Sequence, residues 1–429
     1  MKNGKTLALA GATTLVAALA AAFLIPPRRT VTTSSAEAYR EYLAGQDELH
    51  RMYMSEARRR FETALVHDPH FMMAMVSLAE TDLGSNSAET KKWLGRANAE
   101  RARVTRRERT AFDLVHAMSE NRIDDATRFA IVLKDDYHDE RGYSFLGSLA
   151  SLQGRSDDAN AIYREWLVEN PNNAQAYNLL GYSSAYRGDY AEAIADLKKY
   201  AYLAPDEANP FDSLGEVEAA NGRYEEAIRD LKKALSIKPD FTPSLLHLGV
   251  AYGGKGDFAA ARTALEAAEQ AYRDSPGQRL QVLLELQLLA RRAGDLALER
   301  EAVARALALD LGDGPDARPL MRAALASDEG KYEEAIAYWK AFTPPAGTDE
   351  KVRALYARRA GLLRGRIEFA AGHMAEAIHW ISTNLSESGT EGTLQDQASA
   401  IRYRVLLARA KAAAGDVAGA ESLLAINRR

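Results

Sequence analysis

The stretch Ala176–Pro205, AYNLLGYSSAYRGDYAEAIADLKKYAYLAP, carries a leucine-glycine pair at Leu180 and Gly181, an alanine twelve residues further on at Ala193, and a closing proline at Pro205. These marks recur with a period of 34 residues: Gly147, Gly181, Gly215 and Gly249, then Ala159, Ala193, Ala227 and Ala261, then Pro171, Pro205 and Pro239. Small side chains facing each other let two antiparallel helices approach closely, and a proline stops the second helix and turns the chain into the next unit. Each unit therefore reads as a helical hairpin.

Three periods before Gly147 the same ruler lands on Gly45, followed by Ala57, Phe61, Ala64 and Pro69, which defines a unit over residues 38–71. The two units between are degenerate: the first carries GSNSAET in place of the usual turn, and in the second Ala126 sits one residue out of register. Towards the C-terminus the proline is lost, but the turn survives as RAGDLAL, DEGKYEEA, AAGHMAEA and AAGDVAGA, begun by Gly294, Gly330, Gly372 and Gly415. The connectors FTPPAGTDE and SESGTEGT interrupt the spacing. The array so read runs from residue 37 to the end as about eleven hairpins, partly degenerate over 37–139, in register over 140–275 and degenerate over 276–429.

The marks resemble those of the tetratricopeptide repeat family. Its aromatic, leucine-glycine, alanine and proline positions correspond to Tyr177, Leu180 with Gly181, Ala193 and Pro205, and in the next unit to Phe211, Leu214 with Gly215, Ala227 and Pro239. The resemblance implies an all-α, right-handed α-solenoid whose concave face is lined by the first helix of each hairpin and receives extended peptides. Carried onto this chain, the groove-facing places hold Arg141, Ser144 and Ser148, then Gln175, Asn178, Tyr182 and Tyr186, then Asn209, Asp212 and Glu216. This set offers amides for peptide backbone groups, tyrosines with polar tips and carboxylates for basic side chains. The lysine-asparagine-arginine clamp for a C-terminal carboxylate and the asparagine ladder, both found in some members, are absent.

Ahead of the array, Lys2 and Lys5 in the short basic segment 1–5 precede the uncharged run TLALAGATTLVAALAAAFLI, Thr6 to Ile25, with a linker over 26–36. Twenty helical residues at ~1.5 Å each match a bilayer core of ~30 Å. The run stays apolar through Phe23, Leu24 and Ile25, which favours an uncleaved transmembrane signal-anchor over a cleaved signal peptide with a small-residue site near Ala18–Ala22. On this reading the chain is a single-pass protein of a bacterial inner membrane with a periplasmic solenoid, the alternative being a soluble periplasmic or secreted protein.

A content of 47% apolar and 27% charged residues suits amphipathic helices with one buried stripe. With 60 acidic against 55 basic residues, the net charge of −5 argues against a dominant nucleic-acid surface. The basic cluster RARVTRRER, Arg101 to Arg109, reads as a solvated helix junction or as a contact for anionic headgroups or an acidic partner. The lack of cysteine removes disulfides, thiolate metal sites and lipoprotein acylation.

Catalytic signals are weak. His67 and His70 in HDPH lack a third ligand nearby, His373 and His379 flank a repeat turn, and GGKGDF, 253–258, lacks the spacing of a phosphate loop. The paired carboxylates Glu225–Glu226 and Glu333–Glu334 recur at one repeat position just before the alanine, which marks them as helix starts. The chain therefore reads as a non-enzymatic adaptor without metal or cofactor and with no small-molecule substrate inferred, membrane-anchored and binding a protein segment in its groove. Two alternatives stay open: an accessory spacer subunit of an envelope polysaccharide or secretion assembly, and an enzyme. If the register is right, Ala227→Phe overpacks its hairpin and lowers stability by about 1 to 3 kcal/mol in chemical denaturation.

Overall fold

The computed structural model describes residues 30–83, 87–311, 316–344, 350–385 and 394–426. Among these residues the secondary structure is helical, with 22 α-helices that pair into hairpins and no strand. The chain forms two compact units that meet in sequence between His138 and Asp139. The first contains α1 (Ala36–His50), α2 (Met54–His67), α3 (Met72–Thr81), α4 (Ser87–Ala99), α5 (Arg106–Ser119) and α6 (Ile123–Tyr137).

The second unit contains the remaining hairpins. They are α7 (Glu140–Leu152) with α8 (Ser156–Glu169), α9 (Ala174–Tyr186) with α10 (Tyr190–Leu203), α11 (Asn209–Ala220) with α12 (Tyr224–Ile237), and α13 (Thr242–Lys255) with α14 (Phe258–Ala271). After these come α15 (Pro276–Ala293) with α16 (Leu296–Leu307), α17 (Arg318–Asp328) with α18 (Tyr332–Lys340), α19 (Glu350–Ala370) with α20 (Met374–Asn384), and α21 (Leu394–Ala413) with α22 (Val417–Ile426).

The glycines show why the helices of a hairpin pack as they do. A Cβ added to Gly181 would fall 2.7 Å from Leu197 Cγ, one added to Gly215 2.6 Å from Leu231 Cγ, and one added to Gly249 2.5 Å from Leu265 Cγ. The partner is thus the large residue sixteen positions on, while the alanine twelve positions on contributes its carbonyl oxygen at 3.1–3.3 Å. Alanine keeps that turn of the second helix thin, and glycine makes room for the leucine. Phe61 and Tyr163 fill the same place opposite Gly45 and Gly147, and both are fully buried.

Seven residues after each close-approach glycine the chain leaves the first helix in a left-handed conformation, as at Gly188 (φ 87°) and Gly222 (φ 75°). Asp189, Asp257 and Asp295 cap the second helices by accepting backbone N–H bonds from Glu192, Ala260 and Leu298. Second helices end at Glu169, Leu203 and Ile237, each two residues before its proline, with Asn170, Ala204 and Lys238 extended out of the helix as pre-proline residues prefer.

The irregular regions keep this internal ruler. Leu114 takes the glycine's place in the α5–α6 hairpin, followed by Asn121 at φ 55°, Ala126 and Ala130 at the same offsets, the last two fully buried. Large and small residues have exchanged places there. Leu114 stands 33 rather than 34 residues before Gly147, so the shift of Ala126 arises in the connector and not inside the hairpin.

After residue 275 the ruler runs through Gly365, Gly372, Ala377 and Ile381, with the Gly365 position again pressed on Ile381. In the α15–α16 hairpin it runs through Gln287 and Glu299, a buried polar pair standing where other hairpins have glycine and alanine. Gln287 Nε2 donates to Glu299 Oε1 at 2.9 Å and to the Met321 carbonyl at 3.0 Å. Burial pushes the Glu299 carboxyl above its ordinary range.

In the first unit the segment before α1 is pinned by two carboxylates. Glu108, 2% exposed, accepts from Thr32 N at 2.6 Å, Thr32 Oγ1 at 2.7 Å, Thr105 N at 2.9 Å and Thr105 Oγ1 at 2.7 Å, so one side chain completes a capping box and ties down a stretch of chain 76 residues away. Asp68 accepts from Thr33 Oγ1 at 2.5 Å and from the backbone of Ser34 and His70, both at 3.1 Å. Burial alone would raise its pKa, but these bonds hold it below the usual value.

The expected transmembrane helix and single-pass localisation are corrected by the structure. No helix among the described residues is long and apolar enough to cross a membrane. The apolar run Thr6 to Ile25 that suggested one lies outside the described residues.

Gly215→Ala should lower stability by about 1 to 3 kcal/mol, since Leu231 and the Ala227 carbonyl both flank the new methyl group. Combined with Leu231→Ala, the loss should fall short of the sum of the two single losses when urea unfolding is compared across the four proteins.

Candidate interaction site on the inner face

Hairpins stacked one period apart bring residues 34 or 35 positions apart into contact along the first helices. In the second unit this stacking gathers four polar first helices. Tyr182 on α9 donates its hydroxyl to Glu216 Oε2 on α11 at 2.6 Å. Asp212 on α11 accepts from Ser244 Oγ on α13 at 2.7 Å and pairs with His247 Nδ1 at 3.0 Å. The other imidazole nitrogen, Nε2, lies 3.8 Å from Glu216 Oε2, so His247 is held between two carboxylates.

Electrostatics follow from this geometry. Burial disfavours a charged imidazole, yet Asp212, Glu216 and, from α15, Glu285 outweigh it and push the His247 pKa up to about 10. Burial also drives the Tyr182 hydroxyl well above its ordinary range, and Glu216 and Asp212 add to the effect. Asp212 is 3% exposed, whereas the side chains of His247 and Glu216 retain 21% and 31% exposure, so the cluster has a dry floor and a wet rim.

Of the groove residues expected from the sequence, Tyr182, Asp212 and Glu216 meet here. Tyr186 lies beside Tyr182, with ring centroids 6.3 Å apart and the planes tilted by 33°. One repeat towards the N-terminus, Gln175 Nε2 donates to Ser144 Oγ at 3.5 Å, and Arg141 lies 3.7 Å from Asp139. Ser148 shares a hydrogen bond with the buried Tyr163 hydroxyl at 3.3 Å. Asn178 Oδ1 is buried without a hydrogen-bond partner, an unusual state for an amide oxygen. Asn209 turns away from the groove and donates to the Tyr200 hydroxyl of α10 at 3.0 Å inside the hairpin stack.

Sequence reasoning missed His247, Ser244 and Glu285, because the positional ruler placed only apolar residues of α13 in the groove. The available signal was a histidine within TPSLLHLGV, 35 and 31 residues after two carboxylates.

Three arginines of the cluster make contacts within their own unit. Arg101 forks onto Asp113, with one arm at 2.7 Å, Arg103 pairs with Glu100 at 3.0 Å, and Arg109 donates to the Val104 carbonyl at 2.7 Å. In HDPH, His70 Nδ1 meets Glu100 at 2.7 Å, and His373 Nδ1 meets Glu368 at 2.8 Å. Among the described residues no group of three or more acidic or histidine side chains is placed to hold a metal ion.

Tetratricopeptide repeat models match residues 117–208 and 218–284. No curated protein matches the chain. Among solved structures, the APC/C hetero-tetramer Cut9–Hcn1 is similar at 15% identity and a TM-score of 0.52, covering 90% of this chain and 73% of that one, a likeness of fold. A MamA protein aligns at 26% identity and TM-score 0.32 over 38% of this chain and 90% of that one. A thermophilic tetratricopeptide protein of Thermus thermophilus aligns at 25% identity and TM-score 0.36 over 43% of this chain and 95% of that one.

The pH dependence of stability tests the clamp on His247. Its folded pKa of about 10 lies above the ordinary 6.5, so its contribution is full below about pH 6.5 and is lost as pH rises through about 10. The stability gap between the wild type and His247→Gln, measured by urea unfolding, should shrink steadily from pH 6 to pH 10; a gap that widens would contradict the clamp.

Proposed function

Starting from a chain that contains tetratricopeptide repeats, we propose that it is a non-catalytic interaction scaffold that binds a protein segment along the inner face of its second unit. The observation that carries this reading is the row of polar side chains on successive first helices, from Gln175 and Asn178 to Glu216 and His247. One member, the Asn178 oxygen, is an acceptor with no internal donor. That oxygen is buried, so a bound segment is met first by the partly exposed Gln175 amide, and the exposed edge of Glu216 suits a basic side chain beside it.

The site lacks the marks of a catalytic centre. Its histidine is fixed as a cation between carboxylates, which suits neither general base nor nucleophile activation at neutral pH. Ser244 donates to Asp212 and not to the imidazole.

A photoreactive residue at position 175, with position 158 on the exposed side of α8 as control, tests the reading. The scaffold reading expects a protein adduct from 175 alone, and expects Glu216→Gln to weaken binding of the captured partner about 2- to 10-fold, the worth of one hydrogen bond. Equal capture from both positions, together with loss of function on deleting whole hairpins but not on Glu216→Gln, would favour a spacer role.

A further inference from the structure

From the end of α15 onward the inner face changes from acidic to basic. Tyr182 and Glu216 stand immediately after Gly181 and Gly215, and Tyr186 stands five places after Gly181. In the later hairpins the first of these places holds Arg366, after Gly365, and Arg409, after Ala408, which lies seven residues before the turn glycine Gly415. The second place, counted from Gln287, holds Arg292, with Arg291 beside it. Arg402 lies seven residues before Arg409, on the same side of α21.

Contacts between neighbouring first helices put these side chains on one surface. Arg292 Nη1 reaches back to α13, where it lies 3.8 Å from the place a Cβ on Gly253 would take. Asp328 of α17 pairs with Arg291 Nε at 2.7 Å and accepts from Arg366 Nη1 of α19 at 2.7 Å, and Arg366 Nη2 donates to the Ala324 carbonyl at 3.2 Å. Arg409 of α21 lies 5.3 Å from the ring centroid of Phe369, three residues after Arg366 on α19. One carboxylate is thus shared by two guanidinium groups, and three further arginines, Arg292, Arg402 and Arg409, are exposed. Burial and the charge of Arg291 together hold the Arg366 pKa below its ordinary value, the mark of a face with more cations than anions.

We propose that the inner face from α15 to α21 is a cationic section of the groove, and that the protein segment bound by the scaffold carries an acidic stretch seated on Arg292, Arg402 and Arg409. This rests on the scaffold reading and adds the charge pattern of the partner: basic where it meets Glu216, acidic where it meets the arginines. Helix α21 touches α11, so the two sections border one another and one segment can meet both. Side-chain carboxylates fit this surface better than a nucleic-acid strand does. The arginines come in ones and twos from α15, α19 and α21, and Val405, 38% exposed, lies between Arg402 and Arg409, which suits carboxylates interleaved with apolar side chains. Arg409 already lies over the Phe369 ring, where a base would otherwise stack.

The test titrates the full-length protein into a fluorescein-labelled peptide of alternating glutamate and alanine and reads binding by fluorescence anisotropy. Binding is expected, and the combined change Arg292→Glu, Arg402→Glu and Arg409→Glu, all at exposed positions, should weaken it about tenfold or more. The same variant should bind a lysine-alanine peptide more tightly than the wild type does, a gain that misfolding would not give. An acidic peptide that fails to bind, or that binds both proteins equally, would overturn the cationic section. So would a single-stranded oligonucleotide of equal charge that binds more tightly than the peptide, since it would assign the arginines to phosphates.

Joining a lysine-alanine block to the acidic block should tighten binding about tenfold over the acidic block alone, and Glu216→Gln should remove part of that gain while leaving the acidic block unaffected. No gain on joining would overturn the single bound segment. Loss of groove-specific crosslinking from position 175, with acidic-peptide binding intact, would end the scaffold reading at α9 and leave the cationic section standing. A crosslinked partner whose binding ignores the triple arginine change would do the reverse.

Discussion

A glycine on the first helix of a hairpin pressed against a leucine, isoleucine or aromatic ring sixteen residues later is the contact from which the rest of this structure is built. It sets how near the two helix axes lie, and the alanine four residues before the large side chain keeps the second helix thin at the crossing. Because the crossing is fixed, the left-handed turn seven residues after the glycine falls at the same place each time. The chain can exchange the partners, as with Leu114 and Ala130, or put the hydrogen-bonded Gln287 and Glu299 in the places of the glycine and the alanine.

Hairpins of fixed geometry stack so that one first helix faces the next, and polar groups one period apart become partners. Tyr182 with Glu216 and Asp212 with His247 are two instances, and Gln287 with the Met321 carbonyl is a third. The contact at Asp212 is dry, so it is specific in register: a shift of one residue would leave that carboxylate buried without its donor. The same stacking continues into Arg291, Asp328 and Arg366, where Asp328 accepts from Arg366 Nη1 at 2.7 Å and forms an ion pair with Arg291 Nε at 2.7 Å.

The inner face is thus both a product of the repeat and a place where the repeat is broken chemically. Asn178 keeps an acceptor without a donor, and Glu216 keeps an edge in water. An interaction surface made in this way has its polarity assembled from single residues on many helices. Its chemistry is therefore set by the stacking order and is not contained in any one hairpin.

The period of 34, the glycine-alanine register and the pre-proline helix ends are local rules, each expressed within a few turns of chain, and they were legible in residues such as Gly181, Ala193 and Pro205. Tyr182, Asp212 and Glu216 could be placed on one face for the same reason. The sequence misjudged Asn209, because its position in the unit says where its Cα lies but not that the Tyr200 hydroxyl waits inside the stack. It also missed His247, since its partners are 35 and 31 residues away and become neighbours only when two hairpins pack. The apolar run Thr6 to Ile25 met the length and hydropathy of a membrane span, a test that hydropathy alone applies without reference to the fold. By itself, then, the sequence determined the hairpin, since helix contact within it depends on residues twelve and sixteen apart. The tertiary structure alone decided which charges meet, because Asp212 and His247 stand 35 residues apart on separate hairpins and become neighbours only through stacking.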